Sequence, residues 1–368
     1  MDDASAAFPR RPPVRIDAFR CLRVRHHLAE CAACREACPR EAIALAPGPA
    51  IDAGRCDGCG VCAAVCPTGA LELRALSPAA LLAETGGSRV EFSCRHSSVA
   101  RGAQVPCLGF LDAGTLLAAA ASGADVALEA GPCAHCPGRR GLEAAERAAA
   151  AANAVLAALG YEPRVAFRRR DAYVAALGVS RRGLFGFVRQ KAREHLDADP
   201  EAPATPVAKG KAIRGALRPL RRSLLVQAIG RLRTGQARPD AQPPAGGALP
   251  FFDLALSAAC DNCGMCLTFC PTAALRAERG RGRATFVFSP DLCLGCAVCV
   301  AVCPRRAVSL ARATSLPAPG ATRSLLARAL RCCVRCGTEY PAVAGETLCP
   351  QCAQKQSLED AIRRTLFG

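Results

Sequence analysis

Residues 260–271 read CDNCGMCLTFCP, in which four cysteines follow the spacing C-x2-C-x2-C-x3-C and a proline comes directly after the last one. The same pattern recurs in 56-CDGCGVCAAVCP-67 and in 293-CLGCAVCVAVCP-304. A fourth stretch, 21-CLRVRHHLAECAACREACP-39, keeps only the later part of the pattern, because leucine occupies the place of the first cysteine. The chain therefore contains four related cysteine stretches, arranged along the sequence as two pairs.

This spacing is the one by which cysteine thiolates hold [4Fe–4S] clusters. Two-residue gaps let a looped backbone wrap three corners of a cluster, and glycines such as Gly58 and Gly264 permit the close approach and a positive φ. The fourth cysteine lies beyond the loop, so in proteins with two clusters it binds the neighbouring cluster. Each pair of stretches therefore predicts one unit with two clusters.

The two pairs resemble the bacterial two-cluster ferredoxins, over residues 15–78 and again over residues 249–314. The resemblance implies that one cluster of the second unit takes Cys260, Cys263, Cys266 and Cys303, and that the other takes Cys293, Cys296, Cys299 and Cys270. In the first unit it implies one cluster on Cys56, Cys59, Cys62 and Cys38. The remaining cluster has Cys31, Cys34 and Cys66, and it lacks one ligand.

Cys21 is the nearest candidate for the missing ligand, at the far side of the nine-residue excursion LRVRHHLAE. We expect Cys21 to complete a [4Fe–4S] cluster. Two alternatives stay open at the level of sequence: a three-cysteine [3Fe–4S] centre, or a histidine ligand from His26 or His27.

A middle group of cysteines follows a different pattern, with Cys94, Cys107, Cys133 and Cys136 spread over more than forty residues. Short apolar runs, VPCLGF and DVALEAG, predict strands that alternate with alanine-rich helices. We therefore expect a small α/β domain over residues 88–168 with cysteines at strand ends, where ligands usually bind.

This middle region resembles the delta subunit of the methyl-viologen-reducing hydrogenases, which carries a [2Fe–2S] cluster and links a hydrogenase to a heterodisulfide reductase. The matching features are Cys94, the Cys107-x-Gly109 turn, the GAD sequence before a strand, and the final cysteine pair. The pair is closer here, C-A-H-C, and the first segment is shorter. The alternatives are reduced cysteines or a zinc ion, with His135 as a bystander or a ligand.

The C-terminal region contains 333-CVRCGTEYPAVAGETLCPQC-352, a C-x2-C-x12-C-x2-C pattern that predicts a zinc ribbon over residues 328–368. The expected zinc ligands are Cys333, Cys336, Cys349 and Cys352. The knuckle sequences also resemble rubredoxin, which holds one iron on four thiolates, but rubredoxin has a longer loop and an aromatic core.

Composition limits the remaining classes. The 368 residues include 25 cysteines, no tryptophan and 3 tyrosines, and the formal net charge is +17. Most of the excess lies in residues 163–240, which hold 18 Lys and Arg against 6 Asp and Glu. Aromatic platforms for bases are scarce, so we do not expect nucleic acid as a partner. The start of the chain lacks the apolar region of a secretory signal and no long apolar run is present, so we expect a cytoplasmic protein without a membrane span.

Residues 169–248 are expected to form a basic helical linker. It contains a candidate helix at 181–196, a second helix after Pro219, and the proline-rich stretches 197–211 and 235–247. The fold class expected for the whole chain is therefore α+β: two ferredoxin-like units, a small α/β domain between them, the linker and a ribbon.

The sequence offers no catalytic constellation. No G-x-G-x-x-G or G-x4-G-K-[ST] motif appears, which argues against a nucleotide or flavin site, and no catalytic residues are assigned. The expectation is a non-catalytic electron-transfer subunit whose partner is a hydrogenase, a formate dehydrogenase or a heterodisulfide-reductase-like enzyme. Alternatives are a redox-linked regulatory or assembly factor that binds nucleic acid or an apo-enzyme, and a reductase that acts at the middle cysteines.

Overall fold

The computed structural model describes residues 12–97, 102–133, 136, 138–169, 216–236, 249–342 and 345–367. The helix expected at 181–196, the stretch 197–211 and most of 235–247 lie outside these residues, as does His135.

The N-terminal unit consists of two antiparallel strand pairs and short helices that follow the cysteines. Its elements are β1 (Val14–Ile16), a 3-10 turn (Ala18–Arg20), α1 (Leu22–Arg25), α2 (Ala33–Glu36), β2 (Ile43–Ala44), β3 (Ala50–Ile51), α3 (Val61–Val65) and β4 (Leu71–Leu73). Strand β1 pairs with β4, and β2 pairs with β3. The buried side chains Val14, Ile43 and Leu71 pack around the cysteines, so the apolar core and the metal-binding residues are one cluster.

The middle domain is a parallel four-stranded sheet with the strand order β6-β5-β7-β8. Its elements are α4 (Pro78–Ala83), β5 (Arg89–Cys94), β6 (Ala103–Val105), a 3-10 turn (Leu108–Phe110), α5 (Ala113–Ala120), β7 (Asp125–Ala130), α6 (Arg140–Ala158) and β8 (Val165–Arg169). The run VPCLGF is only partly a strand, because β6 ends at Val105 and Cys107 precedes the 3-10 turn. A parallel sheet must be covered on both faces, which explains why every residue of β7 after Asp125 is buried, Glu129 included.

Helix α7 (Leu220–Gln236) belongs to the packing of the middle domain, although its residues fall in the stretch that composition assigns to a linker. Leu225, Ala228, Ile229 and Leu232 follow helical spacing, and all four are buried in the core of that domain. The hydroxyl of Tyr161 donates a hydrogen bond to the carbonyl oxygen of Leu232 at 2.7 Å. The basic segment thus contains an element that is fixed to the middle domain.

The C-terminal unit repeats the ferredoxin arrangement and extends it. Its elements are β9 (Phe252–Leu256), α8 (Met265–Thr268), β10 (Leu275–Gly280), β11 (Arg283–Phe288), α9 (Val298–Ala301), β12 (Val308–Arg312), β13 (Arg323–Cys332), β14 (Glu339–Pro341) and α10 (Pro350–Phe367). Strand β9 pairs with β12, and the hairpin β10–β11 continues into an antiparallel sheet with β13 and β14. The α+β fold class is therefore confirmed. Among the described residues, no helix is both long and apolar enough to cross a lipid bilayer.

Candidate metal centres

The clearest cavity lies in the C-terminal unit and is lined by all four cysteines that the crossed arrangement brings together. We call Cys270, Cys293, Cys296 and Cys299 group E. They surround an empty volume of about 330 Å³, and the apolar side chains of Leu254, Leu275 and Phe288 close it. Burial and then the thiolates of Cys270 and Cys293 raise the pKa of Cys296 to about 12. Cys270, which belongs to the other box, therefore lines the same cavity as the first three cysteines of the box at 293–303.

The N-terminal unit contains the equivalent cavity. We call Cys38, Cys56, Cys59 and Cys62 group B; all four line an empty volume of about 320 Å³. Burial raises the pKa of Cys62 to about 12, with further contributions from Cys56 and Cys38. The first complete box of each unit has the same loop geometry, since Gly60 and Gly264 both have a positive φ directly before a short helix that lies inside the box.

Cys21 lies with the three cysteines that lacked a partner. Burial, and then the thiolates of Cys66, Cys31 and Cys21, raise the pKa of Cys34 to about 12. We call these four cysteines group A. His26 is buried edge-on against Phe269, with 4.5 Å between the ring centroids, and His27 is exposed.

The remaining cysteines of the C-terminal unit are Cys260, Cys263, Cys266 and Cys303, which we call group D. Burial raises the pKa of Cys266 to about 12, and the next contributions come from Cys260, Cys263 and Cys303. The backbone N–H of Cys263 donates a hydrogen bond to Oδ1 of Asp261 at 3.2 Å, which fixes the start of this loop.

The four middle cysteines, Cys94, Cys107, Cys133 and Cys136, also face one cavity, and we call them group C. The empty volume is about 860 Å³ and opens toward solvent. Burial, and then Cys94, Cys136 and Cys133, raise the pKa of Cys107 to about 11. Gly141 allows helix α6 to pack closely against Cys107, because a Cβ at that position would lie only 2.5 Å from Sγ of Cys107.

The C-terminal cysteines, which we call group F, are arranged around a single point. All ligand atoms of Cys333, Cys336, Cys349 and Cys352 lie within 4.8 Å of one another. The Sγ atoms of Cys336 and Cys349 are 3.8 Å apart, which matches the edge of about 3.8 Å that Zn–S bonds of about 2.3 Å give to a tetrahedron. The backbone N–H of Cys349 donates a hydrogen bond to Cys333 at 3.3 Å and lowers the pKa of Cys333 to about 6. Group F therefore fits one tetrahedral ion.

Groups A to E differ from group F in two respects. Among the described residues, group F alone brings three or more such ligand atoms within 4.8 Å, so the sulfurs of the other groups are more widely spread. That spread is expected where thiolates bind separate iron atoms of one cluster. Burial also raises the pKa of at least one thiol in each of groups A to E, so bound iron would be needed to keep those cysteines as thiolates, whereas hydrogen bonds lower the pKa of Cys333 and Cys336 in group F. The donor sets fit iron–sulfur clusters.

Comparison with known families agrees with this geometry. Residues 259–307 match the family described as 4Fe-4S dicluster domain, and residues 49–72 match the 4Fe-4S binding domain. No curated protein matches the chain. The chain therefore carries ferredoxin-type 4Fe-4S domains, which confirms the prediction of an iron–sulfur protein. Such domains are consistent with electron transfer.

Sequence reasoning missed the residues that join the domains. The clearest examples are Arg221 and Arg222, adjacent in α7: Arg221 pairs with Asp112 of the middle domain, while Arg222 donates hydrogen bonds to backbone carbonyls of the C-terminal unit. A signal was present, since two arginines precede the buried stripe of an amphipathic helix. No sequence pattern indicates that the two side chains reach different domains.

Proposed function

We propose that the chain is a multi-cluster iron–sulfur electron-transfer protein that relays electrons to or from a catalytic oxidoreductase partner. In this proposal groups A, B, D and E hold [4Fe–4S] clusters, group C holds a [2Fe–2S] cluster and group F holds zinc. Iron–sulfur clusters supply one-electron transfer when bound, and the protein sets their separation and potential.

The observation that carries the proposal is the order in which the cysteine groups contact one another. Cys59 of group B packs in one cluster with Cys107 of group C, and both face the same cavity. Cys34 of group A adds to the rise in the pKa of Cys62 of group B, after burial and the cysteines of group B itself. Groups C, B and A are therefore neighbours in that order.

The excursion between Cys21 and Cys31 continues the series into the second ferredoxin unit. Its residues Leu22 and Ala29 are buried against Val298 and Val302, and Cys31 and Cys296 pack against the same cluster. Group A is therefore next to group E. Within the second unit, Cys266 of group D and Cys299 of group E share one buried core. The five groups form a single series, C-B-A-E-D.

A series of this kind suits a relay, because in the contacts between described residues each group adjoins one or two others and the two ends are distinct. Group C forms one end, and its cavity, which is more than twice the volume of those at groups B and E, is also lined by Arg40, Arg95 and His96. The partner that we propose is a cytoplasmic hydrogenase, formate dehydrogenase or heterodisulfide-reductase-like subunit, in keeping with the family that the middle domain resembles.

Anaerobic iron, sulfide and zinc analysis, combined with EPR, tests the proposal. We expect about 18 iron atoms and about one zinc per chain, with reversible low-potential reduction. Fewer than about 12 iron atoms would reject four [4Fe–4S] clusters. Salt-dependent affinity for DNA or RNA would favour the regulatory alternative, and turnover of a disulfide or sulfur substrate by the chain alone would favour a catalytic reductase.

A further inference from the structure

Arg222 connects helix α7 to the second ferredoxin unit. Its guanidinium donates hydrogen bonds to the carbonyl oxygens of Pro250 at 2.6 Å, Asp291 at 2.7 Å and Pro290 at 2.8 Å, and it lies 4.3 Å from the centroid of the Phe251 ring. These contacts enclose the cation, and burial lowers its pKa to about 10, so it stays charged at neutral pH.

The charge of Arg222 is not matched by its hydrogen-bond partners, because all three are neutral carbonyl groups. Among the residues that the structure describes, no carboxylate oxygen lies within ion-pair distance of this guanidinium. The ionisable groups that act on it are Cys293 and, more weakly, Asp291. A buried cation with no ion-pair partner is unfavourable, and the Asp291 carboxylate offsets its charge only in part, so this position favours further negative charge nearby.

The effect is mutual. Arg222 lowers the pKa of Cys293, although burial has the larger and opposite effect on that thiol. Cys293 lines the cavity of group E, so the charge lies beside that group. At group D, Asp261 accepts the N–H of Cys263 and forms an ion pair with Arg305 at the surface, so these two charges oppose one another. At group E, Asp253 also acts on Cys293, but it is paired with Arg323. Group E therefore differs from group D in having a buried cation that forms no ion pair with a described residue.

We propose that Arg222 is the internal counter-ion of group E, and that it makes this group the first of the second unit to accept an electron. A fixed cation stabilises the more negative, reduced form of a neighbouring redox centre and so raises its reduction potential. The inference rests on the proposed function, since it requires a [4Fe–4S] cluster on group E. Helix α7, which packs on the middle domain, would then also supply the positive charge next to group E.

The test is an EPR-monitored redox titration of the whole iron-loaded protein, with dithionite as the one-electron donor. In Arg222→Gln we expect the ratio of reduced to oxidised form of one [4Fe–4S] cluster to fall about tenfold at a fixed potential, which corresponds to about 59 mV for one electron. Arg222→Lys keeps the charge and should shift that ratio much less. The matched control is Arg233→Gln, because Arg233 is in the same helix and also donates to backbone carbonyls, those of Leu316 and Pro317.

Asp291→Asn provides the opposite change. It removes a negative charge near the same group and keeps an oxygen that can accept the hydrogen bond from the N–H of Gly320, so the same cluster should become easier to reduce. If Arg222→Gln retains its iron and every midpoint potential is unchanged, the counter-ion role is wrong. If Arg222→Gln loses iron, Asp291→Asn decides: a raised midpoint supports the role and an unchanged one rejects it. Absence of [4Fe–4S] signals from the unaltered protein would instead reject the proposed function, and this role with it.

Discussion

The two ferredoxin units hold their cysteines in the same way but differ in where extra residues are inserted. In the N-terminal unit the insertion lies inside a cysteine box, between Cys21 and Cys31, and its buried residues pack on the C-terminal unit. In the C-terminal unit both boxes are regular, and the extension lies in the hairpin β10–β11, which pairs with β13 of the ribbon. Departures from the repeat therefore mark the places where each unit attaches to a neighbour, and the irregular box is not evidence of a lost centre.

The strongest test of this comparison removes the first cysteine of each unit. We expect Cys21→Ala and Cys260→Ala each to lose between about one and about four of about 18 iron atoms, because a site left with three thiolates holds a [3Fe–4S] centre or no cluster. Iron and sulfide analysis with EPR measures the loss. His27→Ala is the control for a histidine ligand and should keep all of its iron. If Cys21→Ala retains the iron that Cys260→Ala loses, Cys21 is not a ligand and the two units differ in chemistry.

The second test concerns the extension of the C-terminal unit. Cys349→Ser should remove the zinc ion and leave the iron content unchanged, because group F is built on β13, β14 and α10 and shares no cysteine with group D or E. Structural zinc supplies most of the folding free energy of such a small module, so the ribbon should become sensitive to protease. Metal analysis with limited proteolysis measures both effects. Loss of iron together with zinc would mean that the ribbon and the ferredoxin unit fold as one.

Much of this arrangement could be predicted from the sequence, because the spacing of the cysteines in a box determines which of them can bind the same cluster. The boxes predicted the crossed pairing of Cys270 and Cys38, and in the structure each of the two lines a cavity together with three cysteines of the neighbouring box. The sequence does not predict that Leu22 packs with Val298. Nor does it predict that Arg221 contacts the middle domain while Arg222 contacts the C-terminal unit. These contacts depend on how domains that are distant in sequence pack together, and no local periodicity records that.

The third test asks whether the buried residues of the excursion between Cys21 and Cys31 stabilise the contact between the two ferredoxin units. Leu22 is 4% exposed and faces the second unit, whereas Leu28, in the same excursion, is 44% exposed. Leu22→Ala should cost about 3 kcal/mol through lost burial and the cavity that remains, and Leu28→Ala should stay within about 0.5 kcal/mol. The urea midpoint of cluster bleaching under anaerobic conditions measures the difference. Equal urea midpoints for the two variants would show that the excursion does not stabilise the contact between the two ferredoxin units.

The smallest expected effect compares two glycines at the same position of a box. Gly60 and Gly264 have φ of +78° and +73°, so alanine at either site costs about 1 kcal/mol of backbone strain. The surroundings differ, because a Cβ at Gly60 would lie 2.7 Å from side-chain atoms of Leu73 and Phe110, while at Gly264 nothing lies within 4 Å. The third box has Ala297 at this position with φ of +56°, which shows that the fold accepts a methyl group there.

We therefore expect Gly264→Ala to lower stability by about 1 kcal/mol and Gly60→Ala by about 3 kcal/mol, since crowding in a packed interior adds to the strain. The extra cost arises from two residues, Leu73 of the N-terminal unit and Phe110 of the middle domain, so part of it reports the contact between the two domains. Anaerobic urea unfolding of the two variants measures it. Equal losses of stability in the two variants would show that the middle domain does not pack tightly against Gly60. The evidence that groups B and C are neighbours would then be weaker.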